Sequence, residues 1–206
     1  MSGERPFVIC LTGSLGMGKS RSAKFFAEAG VPVHDSDVVV HALYEGVAVE
    51  AIERAFPGSS AGGKVDRGKL AAKVLGDDKA LARLEAIVHP LVAAARDRFL
   101  AEARKNGAKV VVLDIPLLFE TKGERSCDAV VVVSASPELQ RQRAFERPGM
   151  TEEKFAALLA KQMPDAEKRR RADFIVDSSQ GLDHARAQVH DILRRVATMP
   201  KRQSDS

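Results

Sequence analysis

Residues 13–20 read Gly-Ser-Leu-Gly-Met-Gly-Lys-Ser, an unbroken match to the phosphate-binding pattern G-x-x-x-x-G-K-[ST]. The octapeptide constrains the fold because its chemistry works only where a strand delivers it and a helix carries it away. Gly13, Gly16 and Gly18 let the backbone turn tightly and aim several N–H groups at one point. Lys19 adds a mobile positive charge for the β- and γ-phosphates, and the Ser20 hydroxyl can ligate Mg²⁺. The flanks agree: Phe7-Val-Ile-Cys-Leu11 is an apolar run of strand length, and the chain from Ser20 onward reads as a helix whose N-terminal dipole adds to the anion cradle. The chain is expected to bind a nucleoside triphosphate.

A chain of 206 residues holds one α/β core plus an insertion, not two large independent domains. Its 32 Lys and Arg against 28 Asp and Glu leave a net charge of +4, which suits a polyphosphate as well as a nucleic acid. No apolar stretch approaches the length of a membrane span, and the N-terminus has no secretory-signal pattern, so a cytoplasmic protein is expected. Cys10 and Cys127 sit in or beside strand-like runs and read most simply as buried thiols of a reducing compartment, with a disulfide as the alternative.

Five apolar runs, at 7–12, 31–34, 109–114, 129–133 and 174–177, are strand candidates. The valine runs lack alternation, which favours strands covered on both faces, and helical patterns separate them. The fold class expected is α/β, a five-stranded parallel sheet of the P-loop type flanked by helices. The P-loop core covers about 5–37, 108–137 and 172–198; a mostly helical insertion takes about 38–107, and a cation-rich lid about 138–171. Pro57–Gly63 reads as a loop, Pro90 as a kink or restart in a helix, Lys168–Arg171 as a mostly solvated face, and the tail from Pro200 as frayed.

In parallel sheets ligands bind beyond the carboxyl ends of the strands, and the candidate residues fall there. Asp37, after the second strand, can take or orient an acceptor hydroxyl's proton, or it can simply cap the following helix; Asp35 reads more readily as structural. Asp114 can hold a Mg²⁺-bound water or cap the turn before Pro116. Arg143 and Arg147, four apart on a helical pattern, can share one phosphate group or form a solvated basic face. Asn106 is the only asparagine, so the guanine signature N-K-x-D is missing, and Asp114-Ile-Pro116 lacks the Asp-Glu pair with which many ATPases activate water. Those gaps favour phosphoryl transfer to a small molecule. One tyrosine and no tryptophan leave the basic residues without a stacking platform for nucleic acid.

Taken in order, the motifs resemble the dephospho-CoA kinase family. The likeness rests on Leu11–Ser20, Asp35-Ser-Asp37, Asp66-Arg67 with Leu70, Leu84–Pro90, Ile115-Pro-Leu-Leu-Phe-Glu120, Gln140 with Arg143 and Arg147, Gln162, and Ala172-Asp173. The resemblance implies ATP-dependent phosphorylation of the ribose 3′-hydroxyl of dephospho-CoA, with Mg²⁺, giving coenzyme A and ADP. It implies an ATP site of Gly13, Gly16, Met17, Gly18, Lys19, Ser20, Arg21 and Arg147, with Ser20 on the metal and Asp114 reaching it through water. Lys19, Asp37 and Arg143 would be catalytic. Asp35, Asp37, His89, Pro116, Leu117, Leu118 and Glu120 would line the acceptor site. ATP and dephospho-CoA are then the partners, with no nucleic acid and no membrane. Three positions depart from the family pattern: His41 where an arginine is common, Arg21 for threonine, and Ser178 for asparagine. A shikimate-type or nucleotide kinase is the neighbouring alternative, and a nucleotide-dependent switch that binds nucleic acid the more distant one.

Overall fold

The computed structural model describes residues 4–202, which fall into two compact units: one built from the chain up to His34 and from Ala103 onward, the other from Asp35–Glu102. In chain order the elements are β1 (Phe7–Thr12), α1 (Lys19–Glu28), β2 (Val33–Asp35), α2 (Ser36–Tyr44), α3 (Val49–Ala55), β3 (Ser60–Ala61), β4 (Lys64–Val65), α4 (Arg67–Val74) and α5 (Asp78–Lys105). They continue with β5 (Val110–Asp114), a 3₁₀ turn (Gly123–Ser126), β6 (Ala129–Ser134), α6 (Pro137–Phe145), α7 (Glu152–Ala160), α8 (Asp165–Arg171), β7 (Phe174–Asp177) and α9 (Leu182–Val196).

The first unit is built on a five-stranded parallel sheet in the order β2-β5-β1-β6-β7. Every residue of β1 and of β6 is buried, as their unbroken apolar runs require of strands covered on both faces. β1 lies in the middle, with Ile9 opposite Val112 of β5 and Ala129 of β6. One face carries α1 and α9. Phe25 and Phe26 of α1 meet Ala185, Val189, Ile192 and Val196 of α9, a helical stripe, over Ile9, Leu11, Val131 and Val176. Each of these buried Phe, Ile, Leu and Val side chains contributes about 1.5–3 kcal/mol of hydrophobic stabilisation before entropy is charged against it. The parallel arrangement brings the loop after β1 and the ends of β5, β6 and β7 to one rim.

Cys10 and Cys127 are buried, as expected, and they are joined to each other as a disulfide, the alternative to the simpler reading of two separate thiols. At the opposite rim the two ends of the described stretch are fastened. Arg5 holds Asp128 at 2.6 and 2.8 Å, Arg202 holds Asp173 at 2.8 Å, and Lys201 reaches Glu4 at 2.7 Å. The tail is therefore bonded through Arg202; its last residues, 203–206, lie outside the described residues.

The second unit has its own core of Leu43, Ile52, Phe56, Val65, Leu70, Leu84 and Val88. Within the stretch read as a loop, Ser60–Ala61 and Lys64–Val65 pair as a hairpin around Gly62 and Gly63, at φ 58° and 76°. Two positive-φ residues in a two-residue turn match the twist of the strands, and glycine adopts them without strain. Pro90 does not restart its helix: α5 runs unbroken from Asp78 to Lys105. Lys168 is the other departure, a fully buried lysine inside the run expected to be solvated.

Candidate active site

The phosphate loop leaves β1 and is closed by Gly18, whose φ of 88° sets the entry into α1. A Cβ on Gly13 would run into the carbonyl of Val133, so the loop lies directly against β6. Lys19 is ion-paired through Nζ with Asp114 at the end of β5, whose side chain is almost wholly buried. Ser20 and Arg21 are exposed in the first turn of α1. Met17 turns inward instead, and its sulfur accepts the Ala135 amide at 3.1 Å. The Met17 N–H donates to the Ser14 carbonyl at 3.1 Å, closing a turn within the loop.

Arg143 of α6 donates to Ser178 Oγ at 2.7 Å and to the Ser178 carbonyl at 3.0 Å. Ser178 Oγ in turn donates to the carbonyl of Met17 at 2.8 Å. The serine that departs from the family pattern therefore ties the guanidinium to the phosphate loop. Arg147, one turn further, is exposed. Arg141, on the same helix, pairs with Glu152 and lies over the ring of Phe145.

After β5 the segment 116–120 folds back on the same unit. The Pro116 carbonyl accepts the Thr12 hydroxyl at 3.1 Å. Leu117 is 41% exposed, whereas Leu118 is 0% exposed and belongs to the interior. Glu120 accepts the Met163 amide at 2.7 Å and sits 3.0 Å from the buried Lys168 ammonium. Burial pushes the Glu120 carboxyl up, but the Met163 amide and Lys168 outweigh it, so the group lies below the usual glutamate value.

In the second unit the two strand-end aspartates divide their tasks. Asp35 caps α2, its Oδ1 accepting the amides of Asp37 at 2.8 Å and Val38 at 3.1 Å. Asp37 stands exposed in the first turn and lines a cleft of about 580 Å³ with Val40, Tyr44, Arg67, Leu70 and Leu84. Arg67 Nη2 lies 3.3 Å from His41 Nδ1, and its guanidinium sits 5.7 Å from the centroid of the Tyr44 ring. Burial pushes the Tyr44 hydroxyl up, against the opposing charge of Arg67. His89 and Pro90 are exposed on α5 and are not among the residues lining that cleft.

Arg67, Gln140 and Gln162 belong to the motif pattern, but no task for them is legible in the sequence. Only the fold reveals that Arg67 meets His41, and that the two glutamines both reach Leu15 of the phosphate loop. The spacing of Asp66-Arg67 behind a capped helix start was the available signal for the first; the glutamines offered none.

A parallel sheet in this order, with a Gly-Lys-Ser phosphate loop leaving its central strand and an arginine-bearing helix facing that loop, defines a P-loop kinase. The comparisons narrow the class. Residues 7–184 match the family model of dephospho-CoA kinase. A dephospho-CoA kinase of Rhodopseudomonas palustris is 60% identical over 195 residues, covering 95% of this chain and 98% of the relative. Among solved structures, one from Thermus thermophilus superposes with a TM-score of 0.86 at 33% identity, covering 95% of this chain and all of that one. A dephospho-CoA kinase from Campylobacter jejuni shares the fold at a TM-score of 0.63 and 22% identity, covering 92% of this chain and 96% of that one. The chain belongs to the dephospho-CoA kinase family, and it is an ATP-dependent phosphotransferase of coenzyme A biosynthesis.

Proposed function

We propose the following division of labour for the family's reaction, transfer of the γ-phosphoryl group of ATP to the ribose 3′-hydroxyl of dephospho-CoA. The phosphate loop and Lys19 hold the triphosphate. Asp37 accepts the proton of the 3′-hydroxyl as its oxygen bonds to the γ-phosphorus; the bond from that phosphorus to the β–γ bridging oxygen breaks, and ADP leaves. Arg143 and Arg147 offset the charge of the transferring group, Arg143 from its seat on Ser178. Arg67, with His41 beside it, supplies cationic recognition of the acceptor's diphosphate from within the Asp37 cleft.

The observation that carries this reading is the capping of α2 by Asp35. With the cap supplied by Asp35, the Asp37 carboxylate is not needed for that bond and lines the cleft, exposed, where a substrate can meet it. The residues also suit Mg²⁺, which typically takes only one or two protein oxygens and fills the rest of its shell with water and phosphate. Ser20 offers an exposed hydroxyl, and Asp114, the buried carboxylate paired with Lys19, would hold the ion through water. When bound, the ion would neutralise charge on the β- and γ-phosphates. The enzyme is read as cytoplasmic, with ATP and dephospho-CoA as partners and neither nucleic acid nor membrane. Among the described residues no helix is long and apolar enough to cross a membrane. ADP release with ATP and dephospho-CoA, against ATP alone and ATP with shikimate, tests the reading; turnover no greater than with ATP alone would refute it.

A further inference from the structure

Leu15, the third residue of the phosphate loop, is gripped from two sides. Its N–H donates to Gln162 Oε1 at 3.1 Å, and its carbonyl accepts from Gln140 Nε2 at 2.8 Å. The chemistry leaves no choice of polarity: an N–H needs an acceptor and a carbonyl a donor, so each glutamine offers a different end of its amide. Gln140 is 8% exposed, a buried polar side chain whose hydrogen bond is the loop's. The next loop residue, Gly16, sits at φ 79°, and a Cβ there would collide with the carbonyl of Gln140. Helix α6 is therefore packed against the loop at that point.

The two glutamines lie at opposite ends of one excursion. Gln140 belongs to α6, which leads into it, and Gln162 follows α7, where the chain returns. The returning end is anchored again one residue later, by the Met163 amide on Glu120, and then by Lys168 on the same carboxylate. Both stems of the excursion thus converge on the phosphate loop.

We propose that Gln140 and Gln162 are positioning residues that orient the phosphate loop for ATP through opposed hydrogen bonds to Leu15, and so couple the loop to both stems of the lid. The proposal rests on reading the loop as the ATP site. Leu15 spends its own N–H and carbonyl on the glutamines, and the Met17 N–H turns back to the Ser14 carbonyl at 3.1 Å; the other loop amides that follow are those that would face phosphate, and their directions depend on how the Leu15 peptide groups are held. Losing either grip loosens the loop, weakening ATP and leaving the acceptor's affinity unchanged.

Matched substitutions test the polarity. Gln162→Glu keeps an acceptor opposite the Leu15 N–H, whereas Gln140→Glu sets an oxygen against the Leu15 carbonyl. Both add one negative charge beside the same residue, so the difference between them isolates the hydrogen bond from the charge. ATP binding by calorimetry and the KM for each substrate are the readouts, with thermal unfolding as a control. The expected result is ATP affinity about tenfold or more weaker in Gln140→Glu than in Gln162→Glu, with Gln140→Leu and Gln162→Leu both weakened and the KM for dephospho-CoA unmoved. Equal affinities in the two glutamate variants, or a rise in both KM values together, would overturn the proposal. If Gln140→Glu does not fold, Gln162→Glu against Gln162→Leu decides it, and equal ATP affinity in that pair refutes it. Calorimetry needs no acceptor, so a failure of the kinase reading would be seen separately, as absence of turnover in the unaltered enzyme.

Discussion

Asp35 accepts the backbone amide of Asp37 at 2.8 Å, so the first of the two aspartates builds the helix on which the second is presented. The two carboxylates should therefore fail differently. Asp37→Asn is expected to lower kcat by about 10²–10⁴-fold with ATP binding retained, because the lost group acts on the acceptor's proton. Asp35→Ala is expected to cost about 1 kcal/mol of stability through the lost cap. Steady-state kinetics, calorimetric ATP binding and urea unfolding separate them; near-normal turnover in Asp37→Asn would remove that residue from the chemistry.

Arg67 stands beside His41 in the Asp37 cleft and supplies a permanent charge where the sequence has an imidazole. Arg67→Ala should raise the KM for dephospho-CoA about tenfold to a hundredfold, the worth of a charge-assisted contact, and leave the KM for ATP unchanged. Arg67→Lys should recover only part of it, since an ammonium cannot make the planar fork of a guanidinium. An equal rise in both KM values would contradict the assignment.

The buried Lys168–Glu120 pair is expected to behave as buried ion pairs do when broken from one side. Lys168→Met leaves a carboxylate without its cation and should cost about 3 kcal/mol, while the double variant Lys168→Met, Glu120→Gln should cost less than Lys168→Met alone. A double-mutant cycle in urea measures this. Additive losses would mean that the two groups do not depend on each other.

Asp128 carries a pH dependence whose sign is set. Burial pushes its carboxyl up, but Arg5 and the amides of Val8 and Arg202 outweigh burial and hold it below its ordinary value of 3.8. The unfolded chain then binds the proton more readily than the folded one, so the stabilisation is present above that ordinary value and is lost as pH falls through the folded one. Unfolding free energies measured between about pH 3 and pH 6 should fall on the acid side, and Asp128→Asn should flatten that fall. An unchanged slope in the variant would assign the acid sensitivity to other carboxylates.

Most of the architecture was legible in the sequence because it rests on local signals. The apolar runs that became β1, β5, β6 and β7 are dense in valine and isoleucine, and the phosphate loop is a contiguous pattern with the glycines its turns need. The hairpin at Ser60–Val65 was hidden because two-residue strands have too little periodicity to announce themselves. Lys168 was misjudged for a related reason. A run of four cations looks alike from every side until a helix axis and a packing partner decide which one turns inward.

The sequence alone determined that this chain would build a phosphate cradle between a buried strand and a helix, and that carboxylates and arginines would follow the other strands. Those features are encoded within a few residues of one another, where periodicity and glycine placement act. What only the tertiary structure decided is which of the polar groups spend themselves on the fold: Asp35 on a helix cap, Met17 on the Ala135 amide, Ser178 on Arg143, Gln140 and Gln162 on Leu15. All but the first span more than 100 residues or join separate elements. A side chain's partner at that distance is set by sheet order and helix packing, which no local pattern records.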